Sequence, residues 1–157
     1  VLVGDRVANR LVEDGGEFYH GFTYSGHPVA AAVALANLEL IEKENMIETV
    51  RNVTAPYLGE ALAPLADHPL VGEVRTFGLL ASIELVQDKN GPVLFEDEGA
   101  VGVICRDHAI NRGLMMRAVR DGMILSPPLT FTKEDIDQVV AIATAALDDS
   151  LETLGRA

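Results

Sequence analysis

The sequence predicts an α/β fold, organised as α+β over this fragment, and three observations predict it. Leu79, Ala81, Ile83 and Leu85 alternate with Leu80, Ser82 and Glu84, which is the period of a strand with one buried face. Val29, Val33, Ala36, Leu40 and Ile41 recur at helical spacing, and Ile136, Val139, Val140, Ala143 and Leu147 do so again near the end. After the first long helix, the patterns follow in the order helix, strand, strand, helix, strand, strand, helix.

Taken in order, residues 1 to 4 (VLVG) read as the end of a buried strand, and Asp5 as the N-cap of a short helix through Leu11 or Val12. EDGGEFYHGF reads as a loop. Ser25 is placed to cap the next helix, with Pro28 in its first turn, where a missing N–H costs nothing. That helix is expected to run to about Glu44. A second pattern, Ile47, Val50, Val53, Tyr57, Leu58, Leu62 and Leu65, contains Pro56, which kinks or splits it. EVRTFGLLASIELV reads as two extended segments joined near Gly78, and QDKNGPV as a turn. Residues 98 to 112 form a helix with Val101, Ile104, Cys105, His108 and Ala109 on one face, closed by Gly113. LMMRAV and MILSPPL are short strands around the turn RDG. Thr132 opens the last helix as TKED, a capping-box start with an acid at the third position.

At 157 residues the chain is the size of one domain, and 48% hydrophobic content is enough to bury a core. A net charge of −12 argues against nucleic acid and anionic membranes as partners, because no basic patch is available to neutralise phosphates. No run is apolar for long enough to span a bilayer; Asn37 and Glu39 interrupt the longest. Cys105 is the single cysteine, so no internal disulfide can form. This suits a cytoplasmic protein and a small buried hydrophobe at that position. The opening VLVGDRVANRL has no initiator Met and no signal peptide, and reads as a chain cut inside a strand. The expectation is a piece of something larger.

The stretch GFTYSGHP, residues 21 to 28, gathers the features of an anion site. Backbone N–H groups around Phe22 and Thr23, with the Thr23 hydroxyl, suit a phosphate, and Gly21 and Gly26 allow close approach. The same residues fit an ordinary capped helix start, and the residues alone leave both readings open. His27, beside Pro28, reads either as an acid–base group or as a local hydrogen-bonding residue. Arg117 sits among strand-like apolar residues. It suits bidentate binding of a carboxylate, or equally a strand end that faces water. Arg120 lies in the polar turn and is expected to face solvent, and Pro127 and Pro128 are expected to make a rigid turn. His20, His68 (in a surface turn), His108 and Cys105 show no metal-ligand spacing, so no metal is expected. No nucleophile elbow, Walker motif or dinucleotide glycine fingerprint is present.

Three linked stretches carry a resemblance to a known family. FYHGFTYSGHPVAAAVALANLELIE is similar to the signature turn and interdomain helix of class III (omega) aminotransferases, which use pyridoxal 5'-phosphate. HPLVGEVRTFGLLASIELVQDK resembles the strands of that family's small domain, and GLMMRAVRDGMILSPPLTFTKEDIDQV its C-terminal segment. The likeness runs in order over nearly the whole chain. It implies the type I fold of pyridoxal-phosphate enzymes. Residues 1–25 would be the tail of the large domain, 26–52 the connecting helix and 53–157 the C-terminal small domain. It further implies a homodimer with active sites at the interface. Thr23 would then donate its hydroxyl and N–H to the cofactor phosphate of the neighbouring subunit, with the Phe22 backbone beside it, and Arg117 would bind the substrate's carboxylate. The form TYSGHP resembles the branch acting on ω-amino acids, diamines or monoamines with pyruvate as acceptor.

One departure bears on function. The family holds its cofactor on a lysine that then moves the proton. The lysines here are Lys43, Lys89 and Lys133, and none matches that position, which the resemblance puts upstream of Val1. All three read as exposed. The chain alone is therefore expected not to transaminate. A different class of reading is a stand-alone, non-catalytic α+β module that dimerises or binds a small carboxylate. In a truncated chain the connecting helix and the apolar stub at 1 to 4 would lose their large-domain partners and are expected to be covered by self-association, giving a dimer or higher oligomer.

Overall fold

A computed structural model of the chain describes residues 3–15, 21–91 and 93–155. The strand expected at the start falls partly outside these residues; Val3 and Gly4, which are described, belong to no strand, and Val3 is exposed. The loop residues 16–20, with His20, also lie outside them. The chain divides into two compact units, Val1–Leu40 and Ile41–Ala157.

In the first unit, α1 spans Asp5–Glu13. Gly4, not Asp5, is its N-cap, in extended backbone; Asp5 stands in the first turn, where its charge faces the positive end of the helix. The next helix, α2, spans Pro28–Lys43. Ser25 does not cap it, because its hydroxyl accepts the Phe22 N–H at 2.7 Å. With Pro28 as the first helical residue, the cap position falls to His27. The His27 carbonyl accepts the Ala31 N–H at 3.0 Å, and its Nδ1 faces the Ala30 N–H at 3.5 Å. None of the residues of α2 is buried.

The second unit starts with a helix that changes pitch three times. A short α3 (Met46–Thr49) widens to a π-helical turn over Val50–Thr54, resumes as α4 (Ala55–Leu62) and tightens to a 3₁₀ turn over Ala63–Asp67. The expected break at Pro56 takes this form: Pro56 has no N–H to offer the turn before it, and the wide π turn ends immediately ahead of it.

Four strands then build one antiparallel sheet: β1 (Val71–Phe77), β2 (Leu80–Leu85), β3 (Arg117–Val119) and β4 (Gly122–Leu125), in the spatial order β1-β2-β4-β3. Gly78, at φ +59°, makes the turn between Phe77 and Leu80 that closes the β1–β2 hairpin. One face of the sheet is the core face. Val74, Ile83, Met123 and Ala118 form one row across it, and Thr76, Ala81 and Leu125 the next. Helices α5 (Ala100–Asn111) and α6 (Lys133–Thr153) pack together through small residues; Cys105, Ala109, Ala143, Ala146 and Ser150 are fully buried. Gly113, at φ +89°, ends α5. Its N–H goes to the Ile110 carbonyl and that of Leu114 to the Ala109 carbonyl, both at 2.9 Å. The expected capping box opens α6: the Asp135 N–H donates to the Thr132 hydroxyl and the Thr132 N–H to the Asp135 carboxylate.

The opposite face of the sheet is exposed at Arg75, Phe77, Leu80, Arg117 and Val119, while at its other end Leu94, Phe95 and Glu98 lie around Glu84. Arg75, Ser82, Ile124 and Arg117 lie in one row across it, flanked by Phe77 and Leu80 on one side and by Glu73, Glu84, Gly122 and Val119 on the other. Phe77 is 85% exposed.

Candidate functional site

The candidate residues fall in both units. Phe22 and Thr23 stand together in the turn before α2. That turn is closed by the Ser25 N–H donating to the Phe22 carbonyl at 3.0 Å while the Phe22 N–H is held by Ser25 Oγ. The Phe22 N–H is therefore engaged. The Thr23 N–H and hydroxyl have no hydrogen-bond partner among the described residues, and Thr23 is exposed. A Cβ at Gly21 or Gly26 would meet nothing within 4 Å, so the backbone here is open to a ligand. The first turn of α2 carries no acidic residue to oppose an anion. These donors fit a phosphate group.

In the second unit, Arg117 stands at the first position of β3, exposed, on the face of the sheet opposite the core. Every other described arginine of this unit meets a carboxylate: Arg51 with Glu48, Arg75 with Glu73 and Glu84, Arg106 with Asp107, Arg112 with Asp149, and Arg120 with Glu98. Arg117 meets none among the described residues. On the same face Arg75 lies between two carboxylates, 2.6 Å from Glu73 and 3.1 Å from Glu84, so its charge is answered. The guanidinium of Arg117 is the charge left open to a carboxylate ligand.

What holds Arg117 in place is a residue that sequence reasoning missed. The β3–β4 turn is Arg120–Asp121, with Arg120 at φ +53°. The buried Asp121 carboxylate accepts the Gly99 N–H at 2.9 Å and the Gly102 N–H at 2.8 Å. Asp121 thus satisfies unpaired donors at the start of α5 and ties the strand pair to that helix. Neither residue is signalled by local pattern, since the contact spans the whole of α5 and β3.

The three lysines are each accounted for. Lys89 Nζ donates to the carbonyls of Ala66 and His68. Lys133 lies over the Tyr57 ring, 4.7 Å from its centre. Lys43 is exposed in the last turn of α2. His108 Nε2 lies 2.9 Å from the Thr153 hydroxyl, a surface contact. His68 lies in the turn before β1, as expected, but its side chain is turned inward and is only 10% exposed. No group of three or more metal-ligating side chains occurs among the described residues. An apolar cavity of about 250 Å³, lined by Leu58, Met115, Leu125, Pro127 and Phe131 among others, has no charged side chain in its wall. No helix among the described residues is long and apolar enough to cross a membrane.

Comparison with known proteins shows the family to which the chain belongs. The family model described as aminotransferase class-III matches residues 1–147. The chain is 51% identical over 150 residues to the putrescine–pyruvate aminotransferase of Pseudomonas aeruginosa, an alignment that covers 96% of this chain and 32% of that protein. It is 36% identical over 153 residues to the mitochondrial gamma aminobutyrate transaminase 1 of Solanum lycopersicum, covering 96% and 30%. Among solved structures, the omega transaminase of Pseudomonas jessenii in complex with PMP superposes with a TM-score of 0.83 at 37% identity, covering 96% of this chain and 33% of that one. A thermostable (S)-enantioselective omega-transaminase from Thermomicrobium roseum gives a TM-score of 0.85 at 39% identity, covering 95% and 33%. The chain therefore spans about a third of the length of the relatives it matches. The fold they share is that of the type I pyridoxal-phosphate-dependent transferases.

Proposed function

We propose, because this chain belongs to the class-III aminotransferase family, that it is the C-terminal share of a pyridoxal 5'-phosphate-dependent aminotransferase. The reaction is transfer of an amino group from an amine or ω-amino acid to a keto acid such as pyruvate. The observation that carries this reading is the open guanidinium of Arg117 on the sheet face opposite the core, in a unit whose other described arginines are all paired. Arg117 binds the carboxylate of the acceptor through two parallel N–H···O contacts. Thr23 gives its N–H and hydroxyl to the cofactor phosphate, and the positive end of α2 adds to that attraction. Bound pyridoxal phosphate supplies the electron sink of the exchange.

In this reading residues 1–25 belong to the large domain, 26–52 connect, and 53–157 form the small domain. Two copies assemble, so that the Thr23 turn of one serves the cofactor of the other. The apolar residues that α2 leaves exposed, such as Val33 and Leu38, support such an assembly. The lone thiol and the acidic composition favour the cytoplasm.

The lysine settings support a second element of the proposal: these 157 residues alone do not transaminate. Incubation with stoichiometric pyridoxal phosphate, putrescine and pyruvate, followed by borohydride and peptide mass mapping, tests it. No alanine and no cofactor adduct at Lys43, Lys89 or Lys133 is expected. Turnover, or an adduct at one lysine, would overturn it. The same open Arg117 also suits a non-catalytic, carboxylate-binding α+β module, which the segment exchange described at the end of the Discussion distinguishes.

A further inference from the structure

We propose that Asn90 is a site of spontaneous covalent modification: it loses its side-chain amide to the backbone of Gly91 and becomes aspartate or isoaspartate. The chain has six asparagines, and Asn90 is the one followed by glycine. Asn9, Asn37, Asn52 and Asn111 lie in helical turns, where the backbone is held by its hydrogen bonds, and Asn45 is followed by Met46. Asn52 also donates its amide to Glu48 at 3.1 Å. Asn90 stands in the exposed turn after β2, and its carboxamide has no hydrogen-bond partner among the described residues.

The turn leaves both reacting groups unobstructed. Gly91 has φ +82°, and a Cβ there would meet nothing within 4 Å. With no side chain of its own, Gly91 leaves its backbone nitrogen open to the Asn90 side chain. The Asp88 carboxylate accepts the Asn90 N–H at 2.8 Å, which folds the segment as an Asx turn. The Gly91 N–H donates to the Lys89 carbonyl at 3.0 Å. That bond spans two residues of an exposed loop, where local opening costs least, so it does not keep the Gly91 nitrogen from reacting.

The Gly91 backbone nitrogen attacks Asn90 Cγ. The N–Cγ bond forms, the Cγ–Nδ2 bond breaks, and ammonia leaves with the proton that Gly91 gives up. Water then opens the cyclic imide. Addition at Cγ restores the ordinary main chain as aspartate. Addition at the main-chain carbonyl of residue 90 leaves isoaspartate, in which the main chain runs through the former side chain. In sum, water is taken up and ammonia is released, and the step needs no oxidant, metal or second protein. Either product sets a new carboxylate beside that of Asp88, and like charges so placed repel. Isoaspartate also adds a methylene to a turn that is closed by the Gln87 N–H on the Val93 carbonyl at 2.8 Å and the Val93 N–H on the Asp88 carbonyl at 3.1 Å.

Incubation of the 157-residue chain in oxygen-18 water at mildly alkaline pH, followed by peptide mass mapping and isoaspartate detection, tests this. Residue 90 is expected to change from amide to acid, to take up the heavy oxygen and to give isoaspartate as the major product, while the other asparagines keep their amides. Hydroxylamine added during the incubation is expected to cleave the chain between Asn90 and Gly91, as it does at a cyclic imide. In Asn90→Gln, whose longer side chain closes the ring far more slowly, all of these signals are expected to be lost. An intact Asn90 in the folded chain, whether or not the urea-unfolded chain is modified, would overturn the proposal. So would modification first at another asparagine, or aspartate at residue 90 with no isoaspartate. Should Asn90→Gln fail to fold, the parent chain alone decides each of these.

Discussion

Asp121 and Gly102 form a matched pair: the Asp121 carboxylate accepts the Gly102 N–H at 2.8 Å, and Gly102 leaves the room that this contact needs. A Cβ on Gly102 would lie 2.1 Å from the Arg120 carbonyl oxygen, which is fixed backbone of the β3–β4 turn. The pair therefore sets how closely that turn, and with it the strand bearing Arg117, approaches α5.

Gly102→Ala is expected to force turn and helix apart and cost about 1–3 kcal/mol, as overpacking does. Asp121→Ala leaves the Gly99 and Gly102 donors unpaired and is expected to cost about 1.5–3 kcal/mol, in the range of hydrogen bonds to charged groups. Urea unfolding of each variant measures this. Wild-type midpoints for both would show that the turn is not held by α5.

The capping box of α6 makes a second prediction. Thr132→Ala is expected to cost about 1 kcal/mol at neutral pH. The backbone N–H and the hydroxyl of Thr132, in that order, hold the Asp135 carboxyl below its ordinary pKa. Its contribution is therefore present above the unfolded value of about 3.9 and is lost as pH falls. The gap between Thr132→Ala and the parent chain should narrow below about pH 4 in thermal melts. A gap independent of pH would mean that Asp135 takes no part in the cap.

Cys105 is fully buried, and burial pushes its thiol up to about pKa 11, with a weaker opposing contribution from Ser150. Ellman's reagent is expected to leave the native chain unlabelled at pH 8 and to label it fully in denaturant. Rapid labelling without denaturant would contradict the packing of α5 on α6.

Much of the fold is legible in the sequence where the deciding interaction is local. Alternation from Leu79 to Leu85 and the Gly78 turn specify the first hairpin, and TKED specifies the start of α6, because each depends on neighbours within a few residues. Ser25 misleads for a physical reason: Pro28 fixes the helix start, so the cap position falls on His27 and the serine hydroxyl turns back to Phe22. His68 beside Pro69 resembles a polar turn, but helix α6, far along the chain, buries it. Arg117 is legible by type. That it lacks a carboxylate depends on where every acid of the unit is placed, which no local pattern contains.

The role of Arg117 has the most direct test. The matched third of the Pseudomonas aeruginosa putrescine–pyruvate aminotransferase can be replaced by this chain, and the chimera compared with its Arg117→Ala and Arg117→Lys variants. The expected result is an active chimera in which Arg117→Ala raises KM for pyruvate at least about tenfold, as loss of a charge-assisted carboxylate contact does, with Arg117→Lys recovering only part of it and KM for the carboxylate-free amine donor little changed. A folded, cofactor-loaded chimera whose Arg117→Ala variant keeps the parent's KM for pyruvate would contradict the assignment of Arg117 as the carboxylate-binding residue.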